Sequence, residues 1–312
     1  MDRPRVIFFG TGEIALPAFR KILEIGPRPC ALVTQPDRPV GRHQTPVPPA
    51  IKTLALEAGL PVFQPERLRD PGALDPIAAL DPDLIVVMAY GQILPRALLA
   101  MPKTACINLH ASLLPRHRGA ACIQAALDAG DTETGVTVMH VAPELDTGDI
   151  ILAKRTRIGP DDSGGTLHDR LADLAADALA EALPMILAGT APRTPQDSSV
   201  STYAPKLERD HGRIDWSLPA TILERRIRAY DPWPGTFTLW DEAGKQRRLK
   251  ILAPISSVME NGEPGTIAAG PGLVVHCGEG ALLLHRVQPD GGRPMGGDEF
   301  LRGRNILVTR FQ

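Results

Sequence analysis

Up to residue 188 this chain alternates short apolar runs with amphipathic helical spacing, a pattern that leaves few folds open. The runs at 5–9, 31–34, 84–88, 105–109 and 136–141 read as strands. Stretches near 16–25, 49–58, 95–99 and 120–129 read as the helices between them. A longer helix at 166–187, with leucine and alanine at helical intervals, closes the region. Strands that alternate with helices imply a parallel sheet covered by helices, so the fold class is α/β with a Rossmann-like parallel sheet in an amino-terminal domain at 1–188. From 189 the composition shifts to Thr, Pro, Ser and Gln without apolar periodicity, which marks a linker at 189–207. Beyond it, a helix at 219–229 precedes short runs at 235–240, 249–255, 273–277 and 281–287, separated by Gly, Pro and Asn. These suggest a small barrel or sandwich at 208–312.

Composition narrows the function classes. A formal net charge of -2 argues against a strongly basic nucleic-acid binder and against a binder of anionic membranes, while leaving local basic patches open. Such patches stand in the second region at Arg225, Arg226 and Arg228, at Lys245, Arg247, Arg248 and Lys250, and at Arg302, Arg304 and Arg310. Each reads equally as a phosphate stripe or as a solvated face. The four cysteines are scattered with no Cys-x-x-Cys pair, so neither a zinc site nor a disulfide framework is suggested, and a reducing, cytoplasmic setting fits. The apolar stretch at 6–9 is far too short for a signal or a membrane span.

Three motifs carry chemistry. Gly10-Thr-Gly12 after the first run resembles a nucleotide-binding turn, but Ala15 stands at the third glycine position and Gln35 or Asp37 where the acidic residue belongs. By itself it reads as a tight strand-to-helix turn. Asn108, His110 and Ser112 alternate at a strand end, so in an extended segment all three share one face. A core would not accept those polar groups without partners. Leu145-Asp-Thr-Gly-Asp149 follows the next strand, and Asp146 alone would be a turn or cap residue. If both strands end on one sheet edge, Asp146 can sustain charge on His110, and the charged ring beside the Asn108 amide makes a donor pair for a developing oxyanion. That suits acyl transfer. With no cysteine or serine in a nucleophile motif, direct attack by a substrate amine is the simpler route.

The run Asn108-Leu-His-Ala-Ser-Leu-Leu-Pro-Arg-His-Arg-Gly-Ala-Ala121, followed by Gly135-Val-Thr-Val-Met139 and Leu145-Asp-Thr-Gly-Asp149, resembles the formyltransferase family that uses 10-formyltetrahydrofolate. The likeness extends to the loop Gln35-Pro-Asp-Arg-Pro-Val-Gly-Arg42, to Tyr203-Ala-Pro-Lys-Leu207 and Arg213-Ile-Asp-Trp-Ser217, and to Ile227-Arg-Ala-Tyr-Asp-Pro-Trp-Pro-Gly235. The later segments are absent from single-domain relatives of the purine pathway. The resemblance implies a formyltransferase catalytic domain at 1–188 and an OB-like β-barrel at 208–312 that holds tRNA. It implies Asn108, His110 and Asp146 as catalytic residues, Ser112, Leu113, Leu114 and Pro115 as the folate-binding signature, and Arg42 as a tRNA contact. The implied reaction moves the formyl group of 10-formyltetrahydrofolate, a co-substrate, to the amino group of methionyl initiator tRNA for translation initiation, with no metal and no membrane partner, in a monomer.

Three positions depart from the family pattern. His43-Gln-Thr-Pro46 stands where lysines are common, which leaves Arg42 as the main cation of that loop. Cys122 replaces a proline, and Ala142-Pro-Glu144 replaces Asp-x-Gly. An alternative acceptor is a small amine such as glycinamide ribonucleotide or an amino sugar, served by the same three residues but leaving the second domain without a task. An RNA-binding module without catalysis would be expected to lose Asn108, His110 or Asp146, and all three are present. The incomplete glycine fingerprint disfavours a dehydrogenase.

Overall fold

The computed structural model describes residues 3–40, 45–242, 244–302 and 310–312. By its contacts the chain divides into two compact units, one of Met1–Cys122, Glu133–Arg157 and His168–Ala204, the other of Ile123–Thr132, Ile158–Leu167 and Pro205–Gln312. The segment expected to act as a linker therefore belongs to the first unit as far as Ala204.

The first unit is built on β1 (Val6–Gly10), α1 (Leu16–Ile25), β2 (Ala31–Val33), the hairpin β3 (Arg38–Val40) and β4 (Thr45–Val47), α2 (Ala50–Glu57), β5 (Val62–Phe63), α3 (Asp75–Ala78), β6 (Leu84–Met88), α4 (Arg96–Leu99) and β7 (Ala105–His110). After α5 (Cys122–Ala129), which from Ile123 on belongs to the second unit, come β8 (Glu133–His140), β9 (Ile150–Arg157) and α6 (Gly164–Leu187), the last joining the first unit from His168. Seven strands form one sheet in the order β5-β2-β1-β6-β7-β8-β9. The first five in that order are parallel. β1 and β6 are buried along their whole length, which is why their sequences, VIFFG and LIVVM, contain no polar alternation. Ile7, Phe9, Val33, Ile85 and Val87 share a core on one face with Leu68, Ile77 and Leu98.

The last two strands depart from expectation. β8 runs antiparallel to β7, with His110 opposite Thr137 and Ile107 opposite His140. Its carboxyl end therefore lies away from the edge where β7 ends, and the premise that both polar clusters follow strands ending on one edge is corrected. The loop 141–149 must turn back to reach that edge. β9 pairs antiparallel with β8 at the sheet border and carries Lys154, Arg155 and Arg157, charges of the kind that protect an exposed strand edge. Those charges hid it from apolar-run reading.

The Gly10-Thr-Gly12 turn is a packing device. Ile51 and Ala15 crowd Gly10, while Thr11 Oγ1 donates to the Tyr90 carbonyl at 3.2 Å and accepts from the Gln35 amide at 3.1 Å. The strand ends are thus tied to one another by the turn's own hydroxyl.

In the second unit, α7 (Ala220–Ala229) precedes β10 (Thr236–Glu242), β11 (Lys245–Val258), β12 (Val274–His276), β13 (Ala281–Pro289), β14 (Met295–Gly296) and α8 (Gly297–Arg302). The path β10-β11-β13-β12 is antiparallel, and a register irregularity between Leu252 and Ile255 bends the long β11. Bridges then complete a ring. Ile267 pairs with Val275, Thr266 with Arg310, and Gln312 exchanges backbone hydrogen bonds with Leu239 of β10. The barrel-like reading of this region holds. Its core joins Trp216, Leu223 and Ile227 to Trp240, Leu249, Val275 and Leu284, with the Trp216 indole donating to Thr238 Oγ1 at 2.9 Å.

Candidate active site

β7 projects past its parallel neighbour: Val87 is level with Asn108, so His110 lies at the carboxyl edge where open α/β sheets bind ligands. Asn108, half-buried, and His110, buried, are two apart on this strand and share a face. Ser112 stands beyond the strand end and is fully buried. Its hydroxyl donates to the Arg116 carbonyl at 2.7 Å and lies 3.5 Å from that of His117. The His110 ring meets the same His117 carbonyl, with Nε2 at 2.9 Å. A carbonyl only accepts, so Nε2 carries a proton. Leu114 is buried, its amide donating to Thr137 Oγ1 at 3.1 Å, while Leu113 and Pro115 are half-buried.

Asp146 reaches this edge from the returning loop. Its Oδ2 lies 3.7 Å from His110 Nδ1, with both side chains about nine-tenths buried. That separation is within ion-pair range and beyond a hydrogen bond. The same oxygen accepts from the Gly119 amide at 2.8 Å. Gly119 has φ +105, and a side chain there would strike the Ala204 carbonyl, so the position demands glycine. His117 (φ +57) and Asp146 (φ +52) hold left-handed backbone without being glycine. Such strain, about 1–3 kcal/mol per residue, persists only where the surroundings dictate it.

Burial of the His110 ring works against its charge. A Cys122 side chain hydrogen-bonded to the ring, the Asp146 carboxylate and the His117 carbonyl work in the opposite direction and prevail, raising the pKa to about 9. The imidazolium is thus the resting form at neutral pH, lodged beside an amide at a sheet edge, and it can polarise a carbonyl or stabilise an oxyanion.

Residues 5–183 match the family described as formyl transferase, and residues 206–305 match the formyl transferase C-terminal domain. This chain belongs to the formyl transferase family. Methionyl-tRNA formyltransferase of Akkermansia muciniphila is 51% identical over 307 residues, covering 97% of this chain and 98% of the relative. Methionyl-tRNA formyltransferase of Pseudomonas paraeruginosa is 50% identical over 293 residues, covering 93% of each. Among solved structures, the N-formyltransferase of Helicobacter canadensis in complex with folinic acid and dTDP-3-aminofucose superposes with TM-score 0.67 at 16% identity, over 90% of this chain and 98% of that one, a likeness of fold.

Around the pair that this formyl transferase brings together, sequence reading passed over several residues. Gly119 and His117 stand inside the motif run, and Gln196 and Thr202 lie in the segment whose composition predicts a linker. Gln196 Nε2 donates to the carbonyls of Asp146 and Gly148, and Thr202 Oγ1 accepts from the His117 amide. Arg42 lies outside the described residues, as does Arg304. Two arginines of α7 are engaged within their own unit: Arg226 forms a two-pronged pair with Asp128, and Arg228 donates to the Asp162 carbonyl at 2.8 Å. Lys245, Arg247 and Lys250 on β11 are exposed to solvent, and Arg248 lies 3.5 Å over the Phe237 ring. Among the described residues no group of three His, Cys, Asp or Glu side chains is placed to hold a metal ion, and no helix is long and apolar enough to cross a membrane.

Proposed function

We propose that this formyl transferase moves the formyl group of 10-formyltetrahydrofolate to the amino group of methionyl initiator tRNA. The observation that carries the reading is the buried, charged His110 beside Asn108 and Asp146, at the ligand edge of a chain matched along nearly its whole length by methionyl-tRNA formyltransferases. The neutral amine attacks the formyl carbon, forming a carbon–nitrogen bond and placing negative charge on the formyl oxygen. Asn108 stabilises that oxyanion through its amide and His110 through the positive charge of its ring. Collapse breaks the bond between the formyl carbon and N10 of the folate. Asp146 accepts the amine proton, directly or through water, and a proton returns to N10, giving the N-formyl amide and tetrahydrofolate. Leu113, Leu114 and Pro115 line the folate side, and Ser112 shapes the loop from beneath through its bond to the Arg116 carbonyl. Arg42 and the exposed Lys245, Arg247 and Lys250 are assigned to RNA phosphate.

The test is formyl transfer by the purified protein from 10-formyltetrahydrofolate to methionyl initiator tRNA, with glycinamide ribonucleotide as a competing acceptor. Formylation of the tRNA alone is expected. Formylation of only the small amine would overturn the assignment. Arg42→Ala should weaken tRNA binding without altering folate binding, read by titrating each ligand.

A further inference from the structure

The two ends of the His110–Asp146 pair are held by one stretch of chain, 190–204, which supplies no group to the pair itself. Thr194 exchanges backbone hydrogen bonds with Ile150, at 2.8 and 3.1 Å, and so fixes the stretch beside the start of β9. Two residues later, Gln196 Nε2 donates to the Asp146 carbonyl at 2.9 Å and to the Gly148 carbonyl at 2.8 Å. Its Oε1 accepts from Arg118 Nε at 3.2 Å and Nη2 at 2.9 Å. At the far end Thr202 Oγ1 accepts from the His117 amide at 2.8 Å, and the Arg118 backbone bonds to Thr202 and Ala204 at 2.9 and 2.7 Å.

Gln196 is therefore saturated: both its amide hydrogens and its oxygen are committed, and the fork it forms joins the loop of Asp146 to that of Gly119. Those are the loops whose meeting is recorded by the bond from the Gly119 amide to Asp146 Oδ2. Asp146 has a left-handed backbone, φ +52, a conformation uncommon outside glycine, and a turn of that kind whose carbonyls lose their partner is free to relax toward an ordinary conformation. Relaxation would carry the carboxylate away from the imidazole, which at 3.7 Å makes no hydrogen bond to it, and would leave the Gly119 amide as the bond that still tethers Oδ2. We propose that Gln196 is a positioning residue for formyl transfer, holding Asp146 opposite His110 by gripping the Asp146 turn through its backbone while Arg118 fixes the orientation of the amide. The inference rests on the reading of His110 and Asp146 as the working pair.

Steady-state formyl transfer to methionyl initiator tRNA with Gln196→Met and Gln196→Glu tests it. Met keeps the volume and removes every bond; Glu keeps the acceptor for Arg118 but turns an anion on two carbonyl oxygens. Both are expected to lower kcat by about tenfold or more with KM for 10-formyltetrahydrofolate within about twofold, since displacement of a positioned group by an ångström can cost about 10²-fold. Glu should be no better than Met. Gln196 is half-exposed, and a merely packing role would leave kcat per folded molecule unchanged. Arg118→Met, which leaves both donors of Gln196 but frees its orientation, should give a smaller fall in the same parameter. Asp146→Asn is run alongside. If it is inactive while Gln196→Met and Gln196→Glu keep wild-type kcat, the positioning role is overturned and the working pair stands. If Asp146→Asn is fully active, the reading of the pair itself fails.

Discussion

The stretch 190–204 and the arginine face of α7 have opposite compositions and opposite employment. The first is rich in Thr, Pro, Ser and Gln and carries the marks of a connector, yet its side chains grip the two loops that bear Asp146 and Gly119. The second carries Arg225, Arg226 and Arg228, a bunching that permits a phosphate stripe, yet Arg226 is spent on Asp128 and Arg228 on the Asp162 carbonyl. Polar residues are assigned by what they can reach. A run of small polar side chains reads as solvated until a backbone carbonyl with no other donor lies opposite, and a run of cations reads as a ligand surface until a carboxylate does.

Breaking each region should have a different signature. Asp146→Asn, which removes the carboxylate served by the first region, is expected to cost about 10²- to 10⁴-fold in kcat with little loss of stability, checked by single-turnover formyl transfer and thermal unfolding. Asp128→Ala should do the reverse. It leaves the Arg226 side chain, 26% exposed, without its partner, and denaturant unfolding should register a loss of about 1–3 kcal/mol while kcat per folded molecule holds. Smaller again, Arg248→Ala forfeits its place over Phe237 and should cost about 0.5–1 kcal/mol by the same unfolding measurement.

The alkaline side of the pH profile sharpens the same contrast. Because the His110 pKa is raised from 6.5 to about 9, its charge is present through the neutral range and is lost as pH climbs through about 9. The stabilisation tied to that charge is complete below pH 6.5 and disappears over the same upward interval. Formyl transfer should fall on that limb in wild type, and Asp146→Asn or Cys122→Ala should bring the fall to lower pH. Arg226→Ala, which removes the partner of Asp128 and no group that acts on the His110 charge, should leave the limb in place.

The parallel strands were legible because β1, β6 and most of β7 are buried on both faces and had to be written as unbroken apolar runs. β9 was hidden by the lysine and arginines that an edge strand carries. The direction of β8 was not legible, since an apolar strand reads alike in either direction and only its pairing with β7 decides. Asn108, His110 and Asp146 stand in motifs that single them out in the sequence, and His110 and Asp146 do meet, by a return of the loop 141–149 that the sequence shows only as a Gly-containing turn. Gln196 left no trace, because a glutamine whose donors serve two carbonyls looks like any surface glutamine until those carbonyls are in place.

The most direct measurement is formyl transfer by His110→Ala together with its binding of 10-formyltetrahydrofolate, on one preparation of folded protein. The account predicts that transfer to methionyl initiator tRNA is abolished while folate binds nearly as in wild type. Near-normal turnover in that variant would contradict it.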